Sequence, residues 1–379
     1  MFLELLLFAC AGSLCKAGCE GSGSPTTGSD DTAPTDDTTV TDDSAPDDDT
    51  AVTDDTGTVA DPCVTPRVMF VDDAGVEEDV SAALLDGTYL TLDRPGTLQV
   101  CAGVWYSHLL IRAEVEVVGL GVDRDATVLS GGGTGSVLDV AGPDGKLTVS
   151  NLTVDRGLGL SKEHNSGGGG IYCEAYGAIE VTNTVFSNHE ANDGSAIYVE
   201  DCGVQISGSR FVGNVSEDDG GAVTVWYSDL SVSDSEFSVN EALDGGALAL
   251  FYGTGRVVDT HFESNTASMF GGAIWVYNSS FDIATSQLSG NSTTGGDGGG
   301  LLFYGTGTLT DVGFAGNSAV RGGGIFVYYE ASIVGDRCDF SRNSPDDLYV
   351  ADYSAEGGVS QNLGEDANFI CAANVCDEP

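Results

Sequence analysis

Apolar and polar positions alternate in short runs along most of this chain, and the runs recur. Val223-Thr224-Val225 and Leu248-Ala249-Leu250 each follow a glycine cluster. Val204-Gln205-Ile206 and Leu230-Ser231-Val232 belong to a second set, and a large apolar residue shortly before an asparagine marks a third. A two-residue period is that of a strand with one buried face. No window has helical spacing, so the pattern predicts three short strands per repeat and an all-β fold.

The period is about 26 residues. Asparagines recur at Asn188, Asn214, Asn240, Asn265, Asn291, Asn317 and Asn343, behind Phe186, Phe211, Phe237, Phe262, Leu288, Phe314 and Phe340. Small-residue clusters alternate with them, as in Gly220-Gly221-Ala222-Val223 and Gly271-Gly272-Ala273-Ile274. Three strands per turn, each stacked on its equivalent in the next, make a parallel β-helix. Parallel crossovers are nearly always right-handed, so the coil is expected to be right-handed. The Phe column is expected to stack inside, the asparagines to form a buried amide ladder, and the glycines to allow a sharp corner. Asn214, Asn278 and Asn291 begin glycosylation-type triplets, but two of them belong to the ladder, which makes the match coincidental.

The pairing of Gly-Gly-Ala-Ile with Phe-x-x-Asn over residues 169–343 resembles the repeat of the chlamydial polymorphic outer-membrane proteins. Residues 98–155 lack that repeat and resemble the opening turns of pectate-lyase-like β-helices, as in Leu98-Gln99-Val100 and Thr127-Val128-Leu129. These resemblances imply a right-handed parallel β-helix at a cell surface, with adhesion or interaction roles. The chlamydial proteins also carry a membrane barrel, for which a lipid anchor would have to substitute here.

Composition places that domain behind a leader and a linker. Residues 1–19 hold an apolar run and Leu7-Phe8-Ala9-Cys10, which resembles a bacterial lipobox and makes Cys10 the lipidation candidate. Residues 20–62 carry 13 acids and no base in a six-residue Asp/Thr repeat without aromatics. Such a segment has too little apolar surface to fold and is expected to be an extended tether. The domain then spans residues 63–379, with regular turns over 169–343 and a capping tail over 344–379. Against 13 basic residues stand 59 acids, a formal charge of −46 that repels nucleic acid and anionic lipid. The expected location is therefore the cell outer membrane surface or the extracellular space, with membrane contact only through the lipid anchor, and the chain a monomer. Ten cysteines suit an oxidising compartment, with Cys371–Cys376 and Cys173–Cys202 as candidate pairs and the pairing of Cys63, Cys101 and Cys338 left open.

Candidate chemistry is sparse. Lyases of this fold need a basic proton abstractor near acidic calcium ligands, and hydrolases need clustered carboxylates. The three lysines (Lys16, Lys146, Lys162) are scattered, and Arg156, Arg210, Arg256 and Arg321 come from different parts of the turn. Asp155 with Arg156 is the nearest approach to a site. No catalytic residue and no cofactor is assigned. Asp193, Asp219, Asp244 and Asp297 precede successive glycine clusters and would line one edge, where Ca²⁺ could relieve their repulsion. Local turn capping by each Asp is the plainer reading.

The stronger candidate is aromatic. In the strand after each glycine cluster the first and third positions are aliphatic, so the second and fourth face outward. They supply Tyr172, Tyr198, Trp226, Phe251, Trp275, Tyr277, Tyr304, Phe326 and Tyr328. Such a patch marks a contact surface for glycan or a surface protein, unless the rings merely stack or are covered. The leading expectation is a non-catalytic interaction protein. The alternatives are a polysaccharide lyase or glycoside hydrolase of the same fold, and a passive surface coat.

Overall fold

Each turn of the chain buries its alternate residues by stacking them on the turn before. The computed structural model describes residues 63–159, 167–174, 176–352, 358–372 and 375–377. The leader with Cys10, the tether and Lys162 lie outside the described residues. The described strands form a parallel β-solenoid of about 9 turns.

One turn shows the plan. Val223–Trp226 runs into Asp229–Ser233, then Glu236–Ser238, then Glu241–Asp244. Three of these are the expected strands. The fourth, after the asparagine, belongs to a separate six-stranded sheet, whereas the first two share one sheet. A left-handed residue marks each of the four bends: Tyr227, Asp234, Val239 and Gly245 in this turn, with φ near +50 to +60°. The fourth bend explains the double glycine. Gly220 adopts φ +55°, and a Cβ on Gly221 would sit 2.1 Å from the carbonyl oxygen of Gly246 in the next turn.

Three buried ladders run along the axis. Phe186, Phe211, Phe237 and Phe262 stack at 4.5–5.0 Å between ring centroids, Leu288 takes the next place, and Phe314 stacks on Phe340 at 5.1 Å. Asn214, Asn240, Asn265, Asn291 and Asn317 each donate through Nδ2 to Oδ1 of the next asparagine at 2.9–3.1 Å, ending on Asn343. Each of those five also donates to a main-chain carbonyl, as Asn265 does to Phe237 O at 2.9 Å. The third ladder, unforeseen in the sequence, is hydroxylic. Thr184 N–H donates to Ser209 Oγ, Ser209 N–H to Ser235 Oγ, and Thr260 N–H to Ser286 Oγ.

Asn188 is a correction. It is exposed, with φ +54°, because strand register places Phe186 opposite Phe211 and so His189 opposite Asn214. His189 is buried and begins the asparagine column. Asn214 and Asn291, from the glycosylation-type triplets, are fully buried as expected.

Antiparallel strands close both ends. Val68–Asp72 pairs antiparallel with Gly96–Val100 before the first turn, beside the helix Ser81–Asp86. After the last turn Gly358–Gln361 pairs antiparallel with Leu348–Ala351, and Ala367–Ala372 with Ser332–Ser341, burying Phe369. These caps occupy edges that would otherwise template another strand. Disulfides join Cys173 to Cys202, Cys371 to Cys376 and, settling an open pairing, Cys63 to Cys101; Cys338 is free and buried. No helix among the described residues is long and apolar enough to cross a membrane.

Candidate binding face

The strand after the glycine corner sends its first and third residues inward, as the alternation requires. Val223, Leu248, Ile274 and Leu301 stack in register, as do Val225, Leu250, Val276 and Phe303, all fully buried. The outward positions then divide into two unlike columns.

At the second position Tyr198, Thr224, Ala249, Leu302 and Phe326 are all buried despite facing outward. The glycine bend folds back over Tyr198, Thr224 and Ala249. A Cβ on Gly167 would lie 2.4 Å from the Tyr198 ring, and one on Gly220 would lie 2.3 Å from Thr224 Oγ1. Farther along, Leu302, Phe326 and Ala351 form a second small core against Phe270, Trp275 and Tyr349. Tyr198 and Phe326 are thus packing residues and cannot present a face to a ligand, contrary to expectation. Tyr172 is half-buried, stacks on Tyr198 at 5.6 Å and donates to Glu174 at 2.7 Å.

The fourth position stays partly open except at Phe251, which was expected on the face and is buried. Trp226 stacks on Phe251 at 4.0 Å, and Trp275 meets the Phe251 ring edge-on at 4.8 Å, so Phe251 is buried as the floor between two indoles. Tyr277, Tyr304 and Tyr328 continue the line at 5.2 and 5.4 Å. Beside them runs a row that the alternation missed. Tyr227 and Tyr252 stack at 5.2 Å, 52% and 41% exposed, and Tyr252 meets Tyr277 at 5.5 Å. Both occupy the left-handed bend after the fourth position, where strand periodicity no longer predicts direction. The doublets Trp226-Tyr227, Phe251-Tyr252 and Tyr328-Tyr329 were the available signal. Partial burial raises the phenols of Tyr252, Tyr304 and Tyr328, which keeps their hydroxyls protonated as donors.

The sheet therefore offers a run of aromatic side chains from Trp226 to Tyr328, partly exposed and crossed by phenol hydroxyls. A family description agrees with the coil that carries it. Residues 140–319 match the right handed beta helix region family. No curated protein matches the chain. A crystal structure of PfbA, a surface adhesin of Streptococcus pneumoniae, aligns at 11% identity over 79% of this chain and 92% of its own, with a TM-score of 0.26. ORF18 of Geobacillus virus E2 aligns at 10% identity over 76% of this chain and 68% of its own, with a TM-score of 0.31. At these scores function has to be read from the β-helix's own side chains.

The basic residues considered for proton abstraction are mostly engaged in pairs. Arg156 Nε bonds Asp155 at 2.6 Å, and that carboxylate also accepts from Ser187 Oγ and Asn188 Nδ2. Arg210 faces Glu236 at 3.7 Å, and Lys146 faces Glu114 at 3.7 Å, all four on the surface. Arg256 is exposed on the polar part of the sheet. These groups do not converge.

The acidic column is real but uneven. Asp193, Asp219 and Asp244 occupy consecutive turns, each no more than 9% exposed. Burial pushes their carboxyls up to about 6, about 9 and about 7. Asp244 Oδ1 accepts the N–H of Phe270 at 2.8 Å, a bond to the next turn and not the local capping expected of such residues. Asp297 is held by Arg321 through two bonds of 2.9 and 2.6 Å, which removes it from the calcium candidates.

Proposed function

We propose that this chain is an exported, non-catalytic interaction protein that binds glycan chains through the aromatic run on its β-helix. The observation that carries this reading is the aromatic run on the sheet, in which Tyr227, Tyr252 and Tyr328 are exposed and Trp226, Tyr277 and Tyr304 half-buried. Aromatic faces stack on the C–H faces of sugar rings, and the phenols bond to sugar hydroxyls. Because the rings already pack on one another, little side-chain entropy is lost when a ligand arrives. Three disulfides support export to an oxidising compartment. The resemblance of the repeats to chlamydial surface proteins points the same way, and Cys10 remains the proposed attachment point.

A glycan array probed with the full chain tests this, followed by titration of any hit against Trp226→Ala and Tyr252→Ala. The expected result is saturable glycan binding that weakens at least tenfold in both variants. Unchanged binding in both would reject the face. Release of unsaturated or reducing sugar ends from any polysaccharide would replace the reading with catalysis. Capture of a protein with no glycan hit would replace the ligand class.

A further inference from the structure

Resting on the glycan reading above, we propose that the aromatic run begins in a subsite for the protonated amine of an amino sugar, formed by Trp226 and Tyr227 with Glu200 and Asp201. Stacking leaves two ring faces open there. Trp226 lies on Phe251 at 4.0 Å with 14° between planes, and Tyr227 lies on Tyr252 at 5.2 Å with 13°. Phe251 and Tyr252 belong to the following turn, so the opposite face of each ring is turned to the preceding one. Trp226 is half-buried and Tyr227 exposed, so both rings reach solvent.

The preceding turn supplies acids instead of rings. Strand register sets Glu200 opposite Trp226. Asp201 follows Glu200 at a left-handed bend, φ +55°, as Tyr227 follows Trp226 at φ +52°. The Asp201 N–H donates to Trp226 O at 3.1 Å, which ties the two turns together at this point. Each open ring face therefore looks across one strand spacing, about 4.8 Å, at a turn bearing a carboxylate. Glu200 accepts from the Tyr198 hydroxyl at 3.2 Å, a bond that steadies the carboxylate and leaves its charge in place. Among the described residues no ion pair reaches Glu200 or Asp201. Carboxylates alone mean little on a chain of charge −46, but these face aromatic planes.

That pairing selects a cation. The face of an aromatic ring is its negative side, and an ammonium over the indole is attracted both by it and by the carboxylate beside it. A neutral sugar gains stacking only, and a uronate meets two like charges. Elsewhere the β-helix fills a site of this kind from its own chain. The Arg321 guanidinium lies 5.1 Å over Phe326 and 5.3 Å over Tyr349 while bonding Asp297 at 2.6 Å. Among the described residues no arginine or lysine lies over Trp226 or Tyr227, so there the cation comes from the ligand.

The test is calorimetric titration of the full chain with glucosamine oligomers at mildly acidic pH, where their amines are protonated, and with uncharged N-acetylglucosamine oligomers of equal length. The readout is the ratio of the two affinities, so a general loss of binding does not count as a loss of selectivity. The glucosamine oligomer should bind about tenfold tighter. That ratio should fall towards one in Glu200→Gln and in Tyr227→Leu. Tyr227→Leu keeps every charge on the protein, which separates the subsite from diffuse attraction of a polycation to so acidic a chain. Equal affinities, or a ratio unchanged in either variant, would overturn the inference and leave the glycan reading standing. Failure of both oligomers to bind would also overturn it, whereas a blank glycan array removes the glycan reading itself.

Discussion

The main-chain N–H of His189 donates to Oδ1 of Asn214 at 3.2 Å, so an imidazole begins a column that six asparagines continue. Nδ1 of His189 accepts the N–H of Gly157 at 2.9 Å, and Nε2 donates to Val154 O at 3.1 Å. Both ring nitrogens are used, and the ring is neutral. Burial lowers its pKa to about 4, although Asp155 nearby favours the cation.

Acid should therefore weaken the fold through this residue. The unfolded chain takes up the proton first, so stability falls as pH drops from about 6.5 towards 4. The loss approaches about 3 kcal/mol by pH 4. His189→Asn, which extends the amide column, should lack that component. Urea midpoints of both proteins at pH 7 and pH 4.5 check it, and parallel losses would count against the assignment.

Asn265→Ala should cost about 3 kcal/mol or more, because it strips the acceptor from Asn240 and the donor from Phe237 O inside the coil. Asn188→Gly suits the exposed left-handed bend but removes the Nδ2 donor to the buried Asp155 carboxylate, and should cost no more than about 1 kcal/mol. Denaturant titrations of the pair separate ladder from bend. Equal effects would show that Asn188 belongs to the ladder after all.

Phe237→Ala should cost about 3–5 kcal/mol, since its neighbours Phe211 and Phe262 cannot close the gap. Phe237→Leu should cost under about 2 kcal/mol, as the chain itself tolerates Leu288 in the same column. Thermal unfolding of the two variants should therefore separate them widely.

Arg321→Met should destabilise by about 3 kcal/mol by leaving the buried Asp297 carboxylate without its guanidinium. Adding Asp297→Asn should recover most of that loss. If the double variant is no more stable than Arg321→Met, the pair is not the cause. The guanidinium also covers the rings of Phe326 and Tyr349, and that packing is the competing explanation.

Much of this architecture was legible along the chain. The step from Phe211 to Phe237 to Phe262 names the turn, and the glycine pairs name the corner, because stacking repeats one local environment at each period. At Asn188 the average period departs from the register. Register follows the strand pairing of Phe186 with Phe211, which is one residue shorter. The hydroxyl ladder is not legible in the sequence because serine and threonine also suit exposed strands.

By itself the sequence determined the coil, its three expected strands per turn, the inward columns and the outward set of aromatics. Alternation alone carries that information, since a strand has only two sides. Only the tertiary structure decided which outward rings meet solvent. Tyr198 vanishes under the folded-back glycine corner and Phe326 beneath Arg321 and Tyr349, whereas Tyr227 and Tyr252 emerge from left-handed bends. These outcomes depend on what neighbouring turns lay across the sheet, and a two-residue period holds no record of it.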